Sequence, residues 1–99
     1  MPSYRVLVTV GRLLPGARPE EVLPATAEAA AELTTVEASS VSLSRGVPQA
    51  VVRFTAEDDE VARQIGAWAV AAAERRAQVE DARLARRSGS AWRTVPWTG

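Results

Sequence analysis

Four arginines, Arg5, Arg53, Arg83 and Arg87, sit in extended, apolar-alternating stretches of this chain, and Trp92 follows shortly after the last of them. A guanidinium is a planar fork of donors matched to carboxylate and phosphate, and it also stacks on aromatic rings. In a strand, side chains two apart share a face. If strands gather these four arginines on one surface, that surface could hold an anionic small ligand or a nucleic-acid strand. Equally, it could meet acids of a second subunit, with Leu7, Val51 and Trp92 as apolar anchors inside an arginine rim. Arginine and tryptophan are enriched where interfaces bind most tightly.

Other chemistry is excluded by residue type. The chain has no His, Cys, Lys or Asn, and all twelve of its basic residues are Arg. GC-rich coding explains that usage most simply. Without imidazole, thiol or amine there is no Ser–His–Asp or Cys–His triad, no Schiff-base lysine and no zinc site of the usual kind. No metal site and no cofactor are expected. The acidic run Glu57–Glu60 lacks the alternating oxygen ligands of a calcium loop and reads as the charged first turn of a helix. GRLLPGAR (11–18) has neither a Walker lysine nor G-x-G-x-x-G spacing, and reads as a strand-to-helix loop.

These residues must be positioned by one small domain. Ninety-nine residues, 46% hydrophobic and 24% charged, suffice for a single core. Twelve acids balance the twelve arginines, so no global charge draws the chain to polyanions or to an anionic membrane. No apolar run reaches membrane-spanning length and no signal-peptide pattern opens the chain, so the expected location is the cytoplasm.

YRVLVTV (4–10) alternates as a strand with Tyr4, Val6, Val8 and Val10 inward and Arg5, Leu7 and Thr9 outward. EEVLPATAEAAAEL (20–33) has helical spacing. Because an interior proline costs about 3 kcal/mol, either a first turn precedes a helix that begins with Pro24 at its first position, which is the expectation, or the helix is kinked there. VEASSVSLS (36–44) and PQAVVRFT (48–55) are strands joined by Arg45-Gly46. Val41, Leu43, Ala50, Val52 and Phe54 are expected to face the core. Thr55 and Asp58 fit a capping box before a second helix, in which Val61, Ile65, Trp68 and Ala72 form the inward stripe. Trp68 is thereby expected as the central helix-to-sheet contact, against Val8, Val52 and Phe54.

VEDARLARRSG (79–89) follows that helix, and propensity alone would extend the helix through it. It aligns without a gap, however, with VEASSVSLSRG (36–46), and both follow an Ala-Ala-Ala-Glu segment. The same alignment pairs Val52 with Val95 and Phe54 with Trp97. Two related α–β–β units are the simplest account. The second helix should then end near Ala77, with a strand over 80–87 turning through Ser88–Ser90 into AWRTVPW.

The resulting order, β-α-β-β-α-β with one appended strand, resembles the ferredoxin-like superfold. That resemblance implies an α+β domain, with an antiparallel sheet carrying both helices on one face. The other face should carry Arg5, Leu7, Thr9, Ser40, Ser42, Gln49, Val51, Arg53, Arg83 and Arg87, with Trp92 at its edge and no acid. RGVPQAVVRFTAEDDEVARQI (45–65) resembles the third strand and second helix of RNA-recognition motif proteins, which implies single-stranded RNA binding. The stacking aromatics of that family would fall at Gln49, at Val51 and near Arg5 or Leu7, and none of these is aromatic. VGRLLPGAR (10–18) resembles the first loop of acylphosphatases. Arg12 or Arg18 would supply that family's loop arginine, but its catalytic asparagine has no counterpart here.

The expected function is therefore a small non-catalytic interaction domain, self-associating as a homodimer through its open sheet face or its edge strands. The alternatives are a binder of an anionic ligand or nucleic acid through Arg5, Arg53, Arg83 and Arg87, and a cofactor-free enzyme of the dimeric α+β-barrel type.

Overall fold

The computed structural model describes all 99 residues. Its elements are β1 (Ser3–Leu13), α1 (Pro19–Ala31), β2 (Val36–Ser44), β3 (Val47–Thr55), α2 (Asp59–Glu74), β4 (Ala77–Ser88) and β5 (Ala91–Val95). The strands form one antiparallel sheet in the order β2-β3-β1-β4-β5. This is the α+β, ferredoxin-like arrangement, with β5 added beside β4. No helix is long and apolar enough to cross a membrane.

The alternation of β1 decides which face the helices cover. Tyr4, Val6 and Val8 are fully buried and stand opposite Phe54, Val52 and Ala50 of β3. Val6 also faces Leu84 of β4, and the Tyr4 and Phe54 rings stack with centroids 6.1 Å apart. Both hairpins turn on residues of positive φ. Arg45 and Gly46, at 53° and 79°, form the paired left-handed turn that matches strand twist, and Gly89, at 60°, opens the second turn.

Residues 79–88 are strand, as the internal alignment indicates. Helix α2 stops earlier than expected, at Glu74, and β4 starts at Ala77. The reason is β1, which runs on to Leu13 and gives Ala77 and Val79 partners in Leu13 and Val10. Residues 11–13 are thus strand rather than loop.

Four local expectations need correction. Helix α1 begins at Pro19, which suits a first helical position, and the Arg18 amide donates to Glu21 Oε1 at 3.2 Å. Pro24 is consequently interior, and the Glu20 carbonyl loses its donor on the exposed side of the helix. Asp58, rather than Thr55, caps α2, accepting from the Val61 amide at 2.9 Å. Thr55 stays in β3, where its carbonyl accepts from Thr34 Oγ1 at 2.6 Å.

The third correction concerns the inward stripe of α2, which runs through Ala62, Ile65, Gly66, Ala69, Ala72 and Ala73. Trp68 lies beside it, 48% exposed, with its indole N–H donating to Glu32 Oε2 of the segment after α1 at 3.0 Å. Small side chains bring α2 close to the sheet, and Trp97 fills the remaining space. A Cβ on Gly66 would lie 3.0 Å from the Trp97 ring. The fourth correction is in β2. Val41 and Leu43 do point to the helix side, opposite Ala50 and Pro48, but neither helix reaches over them, and they are 59% and 72% exposed.

Candidate functional site

The open face is built as rows of side chains running across the strands. One row reads Ala38, Arg53, Arg5, Ala85 and Thr94. The next row toward the hairpin of β2 and β3 contains Ser40, Val51, Leu7 and Arg83. On the opposite side of the first row, Arg87 pairs with Trp92.

Trp92 joins the first row from the sheet edge. Arg5, Arg53 and Arg87 place their guanidinium carbons 4.6, 5.4 and 5.4 Å from its ring centroid. To reach β1 and β3 the indole must cross β4, and the residue under that path is Ala85, small and buried although it belongs to the open face. No two of the three guanidinium carbons can then lie more than about 11 Å apart. At ~10 Å their mutual repulsion is roughly 0.4–1.7 kcal/mol per pair. Cation–π attraction offsets about 0.5–1 kcal/mol for each.

The three arginines differ in their other partners. Arg53 Nε lies 3.3 Å from Glu37 Oε1, and Ser3 Oγ donates to the same oxygen at 2.8 Å. Glu37 reaches this face because a bulge sets residues 37 and 38 opposite Arg53. Arg87 Nε donates to the Gly89 carbonyl at 2.6 Å. Arg5, on the central strand, makes no ion pair, and its buried Nε, like those of Arg53 and Arg76, has no hydrogen-bond partner. A recess of about 230 Å³ opens at this cluster, its walls completed by Ala38, Ser40 and Val51.

Arg83 stands apart from the group, paired with Asp81 at 2.9 Å and well exposed. The open face therefore does carry acids, Glu37 and Asp81, contrary to the sequence reading. Glu37 enters through the bulge, which sequence alternation does not reveal, whereas Asp81 shares the parity of Arg83 and Arg87, and alternation alone places it on this face. Leu7 and Val51 are direct neighbours across β1 and β3 and are half-buried. The most exposed large apolar side chains of the sheet lie elsewhere, at Val41 and Leu43 on the helix side of β2. There a groove of about 730 Å³ runs between the start of α1, the end of β1 and the β2–β3 hairpin. Val10, Leu13, Leu23, Val41 and Pro48 line it, and Arg12, Glu20 and Glu80 stand among them.

Comparison with protein-family models, with curated proteins and with solved structures finds no match to this chain. What the chain can do rests on its own geometry.

That geometry disperses the residues of the family resemblances. Arg12 is exposed near the end of β1, while Arg18 pairs with Glu20 and Glu21 at the start of α1. Gln49 and Val51 do face outward, but the single aromatic on that face is Trp92, already occupied by guanidiniums. The acids of 57–60 diverge: Asp58 caps α2, Asp59 turns to the core, and Glu60 pairs with Arg63 at 3.2 Å.

Asp59 belongs to a polar cluster that the sequence reading missed. The fully buried Tyr4 donates its hydroxyl to Asp59 Oδ1 at 2.7 Å. Arg86 Nη1 lies 3.2 Å from both the hydroxyl and the carboxylate. Burial, followed by the hydrogen bond to Asp59, pushes the Tyr4 phenol up to about 12. The Tyr4 hydroxyl, with the Arg86 guanidinium beside it, holds the Asp59 carboxyl below the usual carboxylate range against the effect of burial. A phenol held protonated in this way is a clamp between β1, β4 and the first turn of α2, and a poor base. The available signal was Arg86 itself, a charged residue two positions from Leu84 and so on the core-facing side of its strand.

Proposed function

We propose that this chain is a non-catalytic interaction domain that forms a homodimer through the edge strand β2. The observation carrying this reading is the exposure of β2 along nearly its whole length, with Val41 and Leu43 uncovered on its helix side. Within residues 36–44 the only charge is Glu37. An edge of that length with no lysine, proline or covering element is a template for strand addition. The opposite edge is protected by contrast. Strand β5 has five residues, and the chain after it passes through Pro96 to Trp97, which turns back into the core.

Antiparallel pairing of β2 with a second β2 about a two-fold axis extends the sheet to ten strands and keeps all four helices on one side. Val41 and Leu43 of both copies then form a continuous apolar floor between the two α1 helices. The non-catalytic reading is supported by the engagement of the carboxylates of 58–60 in a cap, the Tyr4 clamp and an ion pair.

Sedimentation velocity or light scattering at micromolar concentration tests the proposal. The expected mass is twice the 10.6 kDa of one chain. Val41→Lys combined with Leu43→Lys should return it to one chain that stays folded by circular dichroism, since both side chains are exposed in the single chain, with a thermal midpoint that no longer rises with concentration. A wild-type monomer at that concentration refutes the reading.

A further inference from the structure

We infer that the recess formed by Arg5, Arg53, Arg87 and Trp92 is a binding site for a terminal phosphate, a phosphate monoester carried on a small molecule. Three guanidiniums face it and one carboxylate, Glu37, answers them, which leaves two positive charges unmatched. A monoester carries nearly two negative charges at neutral pH and three acceptor oxygens. Arg5 supplies the second argument. Of the three, Arg5 alone lines the recess with neither an acid nor a carbonyl beside its guanidinium, and an unanswered charge of that kind is costly. A phosphate seated among the guanidiniums supplies the anion that Arg5 lacks. Ser40, on the same wall, adds a hydroxyl donor.

The shape selects a phosphate end over a nucleic-acid backbone. At about 230 Å³ the recess is smaller than the ~300–1,000 Å³ of sites that enclose drug-sized ligands, so it holds a charged head group and leaves the remainder outside. The positive charge is focal. Along the sheet, the next arginine, Arg83, is neutralised by Asp81, so no basic stripe tracks a strand of phosphodiesters. Trp92 is held by cations and offers no free platform for a base. The site lies on the open face and is separate from the apolar helix side of β2, so it stands whether or not the chain dimerises.

Calorimetric titration of the full chain with phenyl phosphate, inorganic phosphate and an oligothymidylate lacking terminal phosphates tests the assignment. Phenyl phosphate should bind saturably at pH 8, with inorganic phosphate as a competitor and the oligonucleotide silent. Arg5→Gln should weaken binding roughly tenfold or more, as expected for loss of a charged hydrogen bond. Arg83→Gln should leave it unchanged, and so should the Val41→Lys, Leu43→Lys double variant. Should Arg5→Gln fail to fold, Arg87→Gln at an exposed side chain and Arg53→Gln at a half-buried one carry the same expectation. The assignment is overturned by absence of saturable binding up to about 10 mM. It is also overturned by equal affinity in the arginine variants, or by tighter binding of the oligonucleotide than of the monoester.

Discussion

Tyr4 is the chain's only tyrosine, and the absence of lysine and cysteine makes it the only side chain that titrates between about pH 9 and 12. Alkaline titration therefore reads one residue. In the folded protein the phenol is pushed up to about 12 from its usual 10, because it is buried and donates to Asp59. Below pH 10 folded and unfolded chains both keep the proton, and the stabilisation is fully present. As pH rises past 10 the unfolded chain releases its proton while the folded chain retains it, so stability falls until the folded phenol ionises near 12. The gap corresponds to a loss of about 2–3 kcal/mol, a substantial part of the 5–15 kcal/mol typical of a domain. Urea midpoints measured from pH 9 to 12, alongside tyrosinate absorbance, should show this decline, and Tyr4→Phe should show a flat profile over the same range. The substitution itself should cost about 1–2 kcal/mol at neutral pH, at the low end for a hydrogen bond to a charged group because Asp59 is partly exposed. Tyrosinate appearing near pH 10 while the circular dichroism remains native would refute the reasoning, as would an alkaline slope in Tyr4→Phe equal to that of the wild type.

Two further predictions concern packing and the first helix. Trp97→Ala should destabilise by about 3 kcal/mol, because its ring fills the space above Gly66, whereas Trp68→Ala should stay within roughly 1 kcal/mol; chemical denaturation of the two variants distinguishes them. Pro24→Ala should stabilise by about 1–3 kcal/mol, the interior-proline penalty less the entropy regained by the unfolded chain, read as a higher thermal midpoint.

The strand assignments were legible because side-chain alternation is imposed by the backbone itself. Tyr4, Val6, Val8, Ala50, Val52 and Phe54 are all inside, and the repeat that aligned residues 79–89 with 36–46 outweighed their helix propensity. The helices were less legible. A stripe of alanines has almost no hydrophobic contrast, so Trp68 looked central when Ala69 and Ala72 were the contacts and Trp97, beyond the last strand, was the filler. For the open face, parity placed Arg5, Arg53 and Arg87 on one side. It could not separate Arg83 from them, because its partner Asp81 also lies on that face and ion pairing depends on side-chain reach rather than spacing. Glu37 was hidden by a bulge, which reverses parity without a mark in composition.

The central position of β1 sets the order in which the molecule can be completed. Its residues 3–13 pair with 77–88, and Trp97, beyond the last strand, seals the layer between sheet and helix. During synthesis at about 5–20 residues per second, β1 waits roughly 4–15 s for β4 to be made. Strand β3 arrives sooner and can shield one flank, through a register of seven consecutive pairs from Ser3–Thr55 to Thr9–Gln49. The other flank of β1 stays open until the C-terminal hairpin emerges. Arrival of β4 and Trp97, and not growth of the N-terminal half, is thus the event that completes this domain, and truncations that spare every residue of the arginine cluster but remove Trp97 should accumulate as insoluble product.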